Sequence, residues 1–227
     1  MKYKGVVDVN KKGNKKGFTL VEIIVVLVIL AILAAIAVPS VLGYVEQAKE
    51  SEQLYKVRDA LIASQTTLIR TYGTDGEFGD DNGSKNGNKK LTKEQAADLK
   101  SKAGLEKNPY ILIFGAGHTS YKGSADEEKM YHVYCVIYQE TKDSKPWFYD
   151  GKIWSHKYLW SKKGNGNPKK EAGRAMYVTD GINRMSGVKD SSGQDVKVQL
   201  YSAYIKGESN ASDNVPGFWN DIRNKSN

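Results

Sequence analysis

Lys15-Lys16-Gly17-Phe18-Thr19-Leu20-Val21-Glu22 opens the stretch that decides this fold. Behind it, Ile23 to Val38 are sixteen consecutive apolar residues, and Pro39 follows. Phe18 to Val38 is 21 residues, and a helix of that length spans about 30 Å of hydrocarbon. Six lysines and one aspartate lie in residues 1–17. A basic flank before an apolar run is a targeting and membrane-insertion signal, with its basic end in the cytoplasm. The run exceeds the apolar region of a secretory signal peptide, about 7–15 residues, and no small-x-small cleavage site follows it. A carboxylate, Glu22, sits near its start. An ionisable group at the centre of a span costs about 2.5–3.5 kcal/mol, so it usually has a function or a partner. Near the end of the span the cost is smaller. Glu22 either snorkels to the interface or meets an ammonium group inside an apolar assembly.

Lys-Lys-Gly-Phe-Thr-Leu-Val-Glu, an uninterrupted apolar run and a proline together resemble the N-terminus of type IV pilins and the related pseudopilins. The resemblance covers about residues 15–40. It implies cutting by a prepilin peptidase between Gly17 and Phe18, then N-methylation of Phe18. It also implies that Glu22 pairs with the terminal amine of a neighbouring subunit during assembly. Pro39 matches the family's proline after the span, and a kink is expected there because proline lacks an N–H and clashes with the preceding turn. Many family members have glycine eight residues before that proline; this chain has Ala31.

The net charge of +8 mostly reflects the leader. Without residues 1–17 the chain holds 28 basic and 25 acidic side chains, which is not the charge of a dedicated nucleic-acid binder. The single cysteine, Cys135, excludes an intrachain disulfide. Many Gram-negative type IV pilins close a C-terminal loop with one, so the resemblance tilts the source toward a Gram-positive, low-oxygen organism. The polar stretch Gly217 to Asn227 does not fit the sorting signal of sortase-anchored pilins.

Three segments are expected: a cleaved leader at 1–17, a long helix at 18–72, and a globular head at 73–227. Within the helix, 18–38 is membrane span and filament core, and 39–72 is amphipathic. Leu54, Val57, Leu61, Ser64, Leu68 and Tyr72 recur at spacings of three and four and so share one face. A domain should pack on that stripe, leaving a head that begins near Tyr55 and folds without residues 1–45. Gly73 is a suitable stop. Thr74 to Asn88 is acidic, Gly-rich loop. Its carboxylates suit calcium, but the spacing is not that of an EF-hand, and a solvated connector is the weightier reading. Thr92 and Gln95 have capping-box spacing for a short helix over Leu91–Leu105.

From Tyr110 the period changes to two. Strands are expected at Ile111–Phe114, Met130–Gln139, Met176–Thr179 and Val196–Ile205. In the second, Val133, Cys135 and Ile137 should face one way and His132, Tyr134, Val136 and Tyr138 the other. Trp147-Phe148-Tyr149 and Lys152-Ile153-Trp154 flank Asp150-Gly151, which suits a type I′ hairpin turn. Asp190 to Gln194 is a turn, and the tail from Gly207 is polar with one aromatic pair, Phe218 and Trp219. The fold class is therefore α+β: a long N-terminal membrane-spanning helix packed against an antiparallel sheet head, which is also the layout the resemblance implies.

Catalysis finds no footing. His118, His132 and His156 form no metal or triad motif, and Cys135 is placed on the strand face opposite His132. An enzyme, a bound cofactor and a metal are not expected. Lys145 to Arg174 carries eight basic residues against Asp150 and Glu171, with six aromatics interleaved. Lys162, Lys163, Lys169 and Lys170 around a Gly-Asn-Gly-Asn loop are the candidate polyanion ligands. The competing reading is an ordinary hairpin with core-facing aromatics and solvated lysines, and periodicity favours it. The resemblance implies a structural subunit of a type IV pilus for adhesion or motility. Its partners would be prepilin peptidase, the inner assembly platform, the membrane before extraction, and other subunits in a homo- or heteropolymer. It would sit as a single-pass protein in the cytoplasmic membrane, head outside, and then in a surface filament. Alternatives are a pseudopilin of a type II-like secretion system, a minor pilin whose head binds DNA or acidic glycans, and a plain signal-anchored surface protein.

Overall fold

The structure, a computed structural model, describes residues 17–74, 76–83, 86–160 and 175–226. Helix α1 runs Leu20–Gly73, with Pro39 inside it. The chain divides into two compact units, one ending at Lys49 and the other spanning Glu50–Asn227. In the first unit every large apolar side chain from Phe18 to Val45 is exposed. No described residue of this unit covers them. In the second unit the stripe behaves as its periodicity dictates. Val57, Ser64 and Leu68 are buried, Leu54, Leu61 and Tyr72 are half-buried, and Ala60, Ala63 and Thr67 widen the face.

Helix α2 (Lys93–Lys102) has the expected capping box: Gln95 N donates to Thr92 Oγ1 at 3.2 Å, and Thr92 N donates to Gln95 Oε1 at 3.1 Å. The strands are β1 (Asp80–Asp81), β2 (Lys89–Lys90), β3 (Ile111–Gly117), β4 (Val133–Gln139), β5 (Trp147–Tyr149), β6 (Trp154–Ser155), β7 (Met176–Thr179), β8 (Ile182–Lys189), β9 (Asp195–Ile205) and β10 (Glu208–Ser209). A last helix, α3, covers Phe218–Lys225.

β9 organises the sheet. One edge pairs with β3 along its length, and β4, β5 and β6 continue outward from there. The other edge is shared by β8, β2 and β10 in turn. The β2–β9 pairing, Lys89 with Tyr201 and Lys90 with Ser202, is parallel, so the sheet is mixed rather than wholly antiparallel.

Both faces of the central strands are buried. Leu112, Phe114, Val136, Tyr138, Tyr201 and Ala203 face α1 and α2. Ile113, Cys135, Ile137 and Leu200 face a second core completed by Met176, Met185, Phe218 and Ile222. A single apolar stripe on α1 explains only the first of these layers. The second comes from the β7–β8 hairpin and α3: β8 holds buried Asn183 and Arg184, and Gly217 precedes α3 without a side-chain cap.

Several local expectations need correction. The strand expected to begin at Met130 begins at Val133, because Glu127–Tyr131 forms a 3₁₀ turn. Ala116 pairs with Val133 while Gly115 pairs with Cys135, so Tyr134 is an extra residue in a bulge. The bulge reverses the side-chain order. Val133 joins the helix-facing core and Tyr134 the other. The Asp150-Gly151 turn is not a two-residue type I′ turn, since Tyr149 pairs with Trp154. Four residues make the loop, and Asp150 Oδ1 accepts from Lys152 N (2.8 Å) and Ile153 N (2.9 Å). The carboxylate therefore builds the turn, in place of a second residue at positive φ. Thr74 to Asn88 is not all loop, because β1 and β2 pair inside and beside it.

Side chains tie α1 to β4 at both ends of that strand. Val133 N donates to Gln65 Oε1 at 2.8 Å, and Gln65 Nε2 donates to Tyr131 O. Twelve positions earlier on the helix, Gln53 Oε1 accepts from Trp147 Nε1 of the neighbouring β5 at 3.2 Å, and the far end of β4 is held at Glu140. Lys56 Nζ reaches Glu140 at 2.6 Å and Glu52 at 2.8 Å, and these carboxylates hold its ammonium above its ordinary range. β4 thus runs antiparallel to α1.

Candidate functional site

The N-terminal segment is the first candidate. Gly17, Phe18 and Thr19 precede the helix, and Phe18 is 85 % exposed. Thr19 is the residue before the first helical position, and Glu22 is three residues on. Thr19 N donates to Glu22 Oε2 at 2.7 Å, Thr19 Oγ1 donates to the same oxygen at 2.8 Å, and Glu22 N donates to Thr19 Oγ1 at 3.2 Å. This is a reciprocal capping box. It satisfies donors that would otherwise be orphaned at the start of a helix. The Thr-x-x-Glu spacing before an apolar run is the sequence signal for it. The charge of Glu22 draws a reading of the sequence toward other subunits instead. The carboxylate is bonded to Thr19, the residue next to Phe18, which would be the new amino terminus after a cut at Gly17.

Behind this cap, α1 is long and apolar enough to cross a membrane, by length and composition. Apolar side chains exposed over so long a stretch require lipid or protein around them.

Residues 12–38 match the family described as the prokaryotic N-terminal methylation motif. That motif is the class III signal peptide of type IV pilins, and it marks a prepilin-like precursor of the pilin and pseudopilin class. The match ends at Val38, immediately before Pro39. Neither the curated proteins nor the solved structures contain a match to this chain. The layout, a long helix whose apolar first part lies in the motif and which leads into an α+β sheet head, is pilin-like.

The remaining candidates separate. Lys162, Lys163, Lys169 and Lys170 lie outside the described residues. The aromatics around them are placed: Trp147 and Phe148 are buried in the two cores, and Tyr149, Trp154, Tyr158 and Trp160 pack against them. Trp160 also meets Trp219 of α3 at 4.8 Å between ring centres. Cys135 is fully buried, its Sγ 3.4 Å from Met176 Sδ, and burial pushes its thiol up to about 12. It holds no thiolate at neutral pH and offers no nucleophile.

Among the described residues no group of three or more His, Cys, Asp or Glu side chains could hold a metal ion. The calcium reading of the 75–88 loop thus gains no cluster from its described carboxylates. The loop is anchored differently. Asn82 Nδ2 donates to Asp213 Oδ1 at 2.5 Å and Asn88 Nδ2 to Asp213 Oδ2 at 2.8 Å. Asn183 Nδ2 donates in turn to Asn88 Oδ1 at 3.0 Å. Asp213 is buried, and burial raises its carboxyl above the ordinary aspartate value although both amides favour the anion.

Proposed function

We propose that this chain is the prepilin of a type IV pilus subunit, cut after Gly17, methylated on Phe18 and polymerised through the apolar half of α1. The observation that carries this reading is the methylation motif over residues 12–38 running directly into a helix whose apolar side chains are exposed. Before assembly, lipid covers those side chains. In the filament, the same surfaces of other copies replace lipid. Glu22 has its own cap in the single chain. In an apolar fibre core a carboxylate needs a countercharge, and the methylated amine of a neighbouring Phe18 has the right charge and is made by the same cleavage. Peptidase, assembly platform and cytoplasmic membrane are its partners on this route, with the head on the outer side.

Mass spectrometry of the protein from membranes and from sheared surface filaments tests this directly. The expected species starts at N-methyl-Phe18 in both fractions. Gly17→Val should leave full-length precursor in the membrane and none in filaments. A mature protein that keeps residues 1–17 within filaments would overturn the reading.

A further inference from the structure

Three stretches of the chain read Asn-x-Ser: Asn82-Gly83-Ser84, Asn210-Ala211-Ser212 and Asn224-Lys225-Ser226. Asn-x-Ser is the acceptor signal for an N-linked saccharide, and it acts where the asparagine is at the surface of an exported protein. The fold treats the three asparagines differently. Asn82 is buried, and its Nδ2 is engaged by the carboxylate of Asp213. Asn224 is exposed, but it lies in the last turn of α3, where residues two apart do not face each other. The hydroxyl of Ser226 is bonded to Arg223 O at 2.7 Å instead. Asn210 stands one residue past β10, in a turn, at φ +56. The surface divides its amide. Oδ1 is buried, whereas Nδ2 is not buried and makes no hydrogen bond among the described residues.

The atom left open is the one that N-glycosylation uses. An amide nitrogen is a weak nucleophile, because its lone pair is shared with the carbonyl. The hydroxyl two residues on assists by hydrogen bonding to the amide, so the acceptor needs a chain that can turn across all three residues. Ala211 to Asp213 belong to no helix or strand, and β10 before them is two residues long. Ser212 Oγ donates to Asn82 O at 2.8 Å and accepts from Asn214 N at 3.0 Å. Those two bonds are what must open for the hydroxyl to reach Asn210. Asn214 to Gly217, which follow, are exposed. We propose that Asn210 is the acceptor of an N-linked saccharide. Nδ2 attacks the anomeric carbon of a saccharide carried on a polyprenyl pyrophosphate. A C–N bond forms and the bond from that carbon to the pyrophosphate oxygen breaks. The pyrophosphate leaves with the electron pair, and the amide gives up one proton to the transferase. The transfer takes place on the outer side of the membrane, so it rests on the proposed placement of the head there.

The test is peptide mass spectrometry of the full chain recovered from the membranes of its native cells. Trypsin separates the three asparagines, because Asn210 lies in Gly207–Arg223, Asn82 in Thr71–Lys85 and Asn224 beyond Arg223. Gly207–Arg223 should carry a saccharide mass that fragmentation places on Asn210, and the other two peptides should be bare. Asn210→Gln and Ser212→Ala should each remove that mass. Ser212→Thr keeps the hydroxyl and should retain the mass at the parent level, which separates loss of the acceptor signal from a loss of folding. A bare Gly207–Arg223, a saccharide that survives Ser212→Ala, or equal occupancy at Asn82 or Asn224 would each overturn the proposal. The same digest reads the N-terminus. A bare Asn210 on a chain that starts at N-methyl-Phe18 sinks the saccharide alone. A saccharide at Asn210 on a filament chain that keeps residues 1–17 sinks the assembly reading alone.

Discussion

Thr19 and Glu22 hold each other at the start of α1: each side chain accepts a hydrogen bond from the other's backbone N–H. The carboxylate proposed to meet a neighbouring subunit is therefore already occupied in the single chain. Two roles, capping and charge pairing, fall on one group, and they are separable by chemistry. Glu22→Gln keeps a capping-box side chain but removes the charge. Its helix start should stay intact by hydrogen exchange at residues 20–23, while filaments fail to form. Filaments at the normal level in this variant would reduce Glu22 to a cap.

Thr19→Ala is the complementary change. It removes the hydroxyl, both as acceptor from Glu22 N and as donor to Glu22 Oε2, and leaves the carboxylate only the backbone N–H of residue 19, at a cost of about 1 kcal/mol to the first turn. Exchange at residues 20–23 should accelerate several-fold, with filaments still present because the charge remains.

The stripe on α1 predicts opposite outcomes at close positions. Leu68 is fully buried against the sheet, whereas Ile62 is 63 % exposed. Leu68→Ala should destabilise the head by about 2–5 kcal/mol. Ile62→Asp should shift it by no more than about 0.5 kcal/mol. Thermal or urea unfolding of the two variants checks this, and similar losses in both would mean that the helix is rotated from the orientation seen here.

Gly115 lies on β3 against the second core. A Cβ placed there would stand 2.5 Å from Cys135 Sγ and 2.6 Å from Val198 Cγ1. Gly115→Ala should cost about 1–3 kcal/mol by overpacking. Adding Cys135→Ala should recover part of that loss, visible as a coupling energy in a double-mutant cycle.

Asp213 has a pH signature. Its folded carboxyl titrates above the ordinary aspartate value of 3.8, so between the two values the folded state holds a proton that the unfolded state has released. Its contribution is then greatest at the acid end and declines as pH rises through the folded value. The stability gap between the parent protein and Asp213→Ala should be wider at pH 4 than at pH 7. A gap that widens with pH would show that the Asn82 and Asn88 donors outweigh burial.

Where a local rule acts, the sequence is readable. The stripe on α1, the Thr92–Gln95 cap, the strand at Met176–Thr179 and the Asp190 turn all follow from nearest-neighbour chemistry. Asp190 Oδ1 accepts from Ser192 N and Gln194 N, as such turns require. What escapes depends on distant partners. The parallel contact of β2 with β9 joins residues over a hundred positions apart. The bulge at Tyr134 is visible only once β3 is beside it. β8 reads as too polar for a strand because Asn183 and Arg184 find partners elsewhere: Arg184 Nη1 donates to Asp195 O, and Asn183 to Asn88. A cavity beside α3 draws its lining from segments 110, 139–142, 206 and 218–225, so no motif announces it.

The ties from α1 to β4 have a mechanical meaning. Gln53 and Gln65 are twelve positions apart on the helix, about 18 Å along its axis. Gln65 grips the start of β4, and Gln53 grips Trp147 on the neighbouring strand β5. Tension drawn through the helix against the sheet loads these bonds, with Lys56–Glu140 between them, in shear and in parallel. None can open by peeling while the others rest. Under force the survival of a fold depends on its unfolding rate rather than its equilibrium stability. Within the second unit the helix is fastened to the sheet in the manner of a riveted lap joint, in which pulling strains every fastener together.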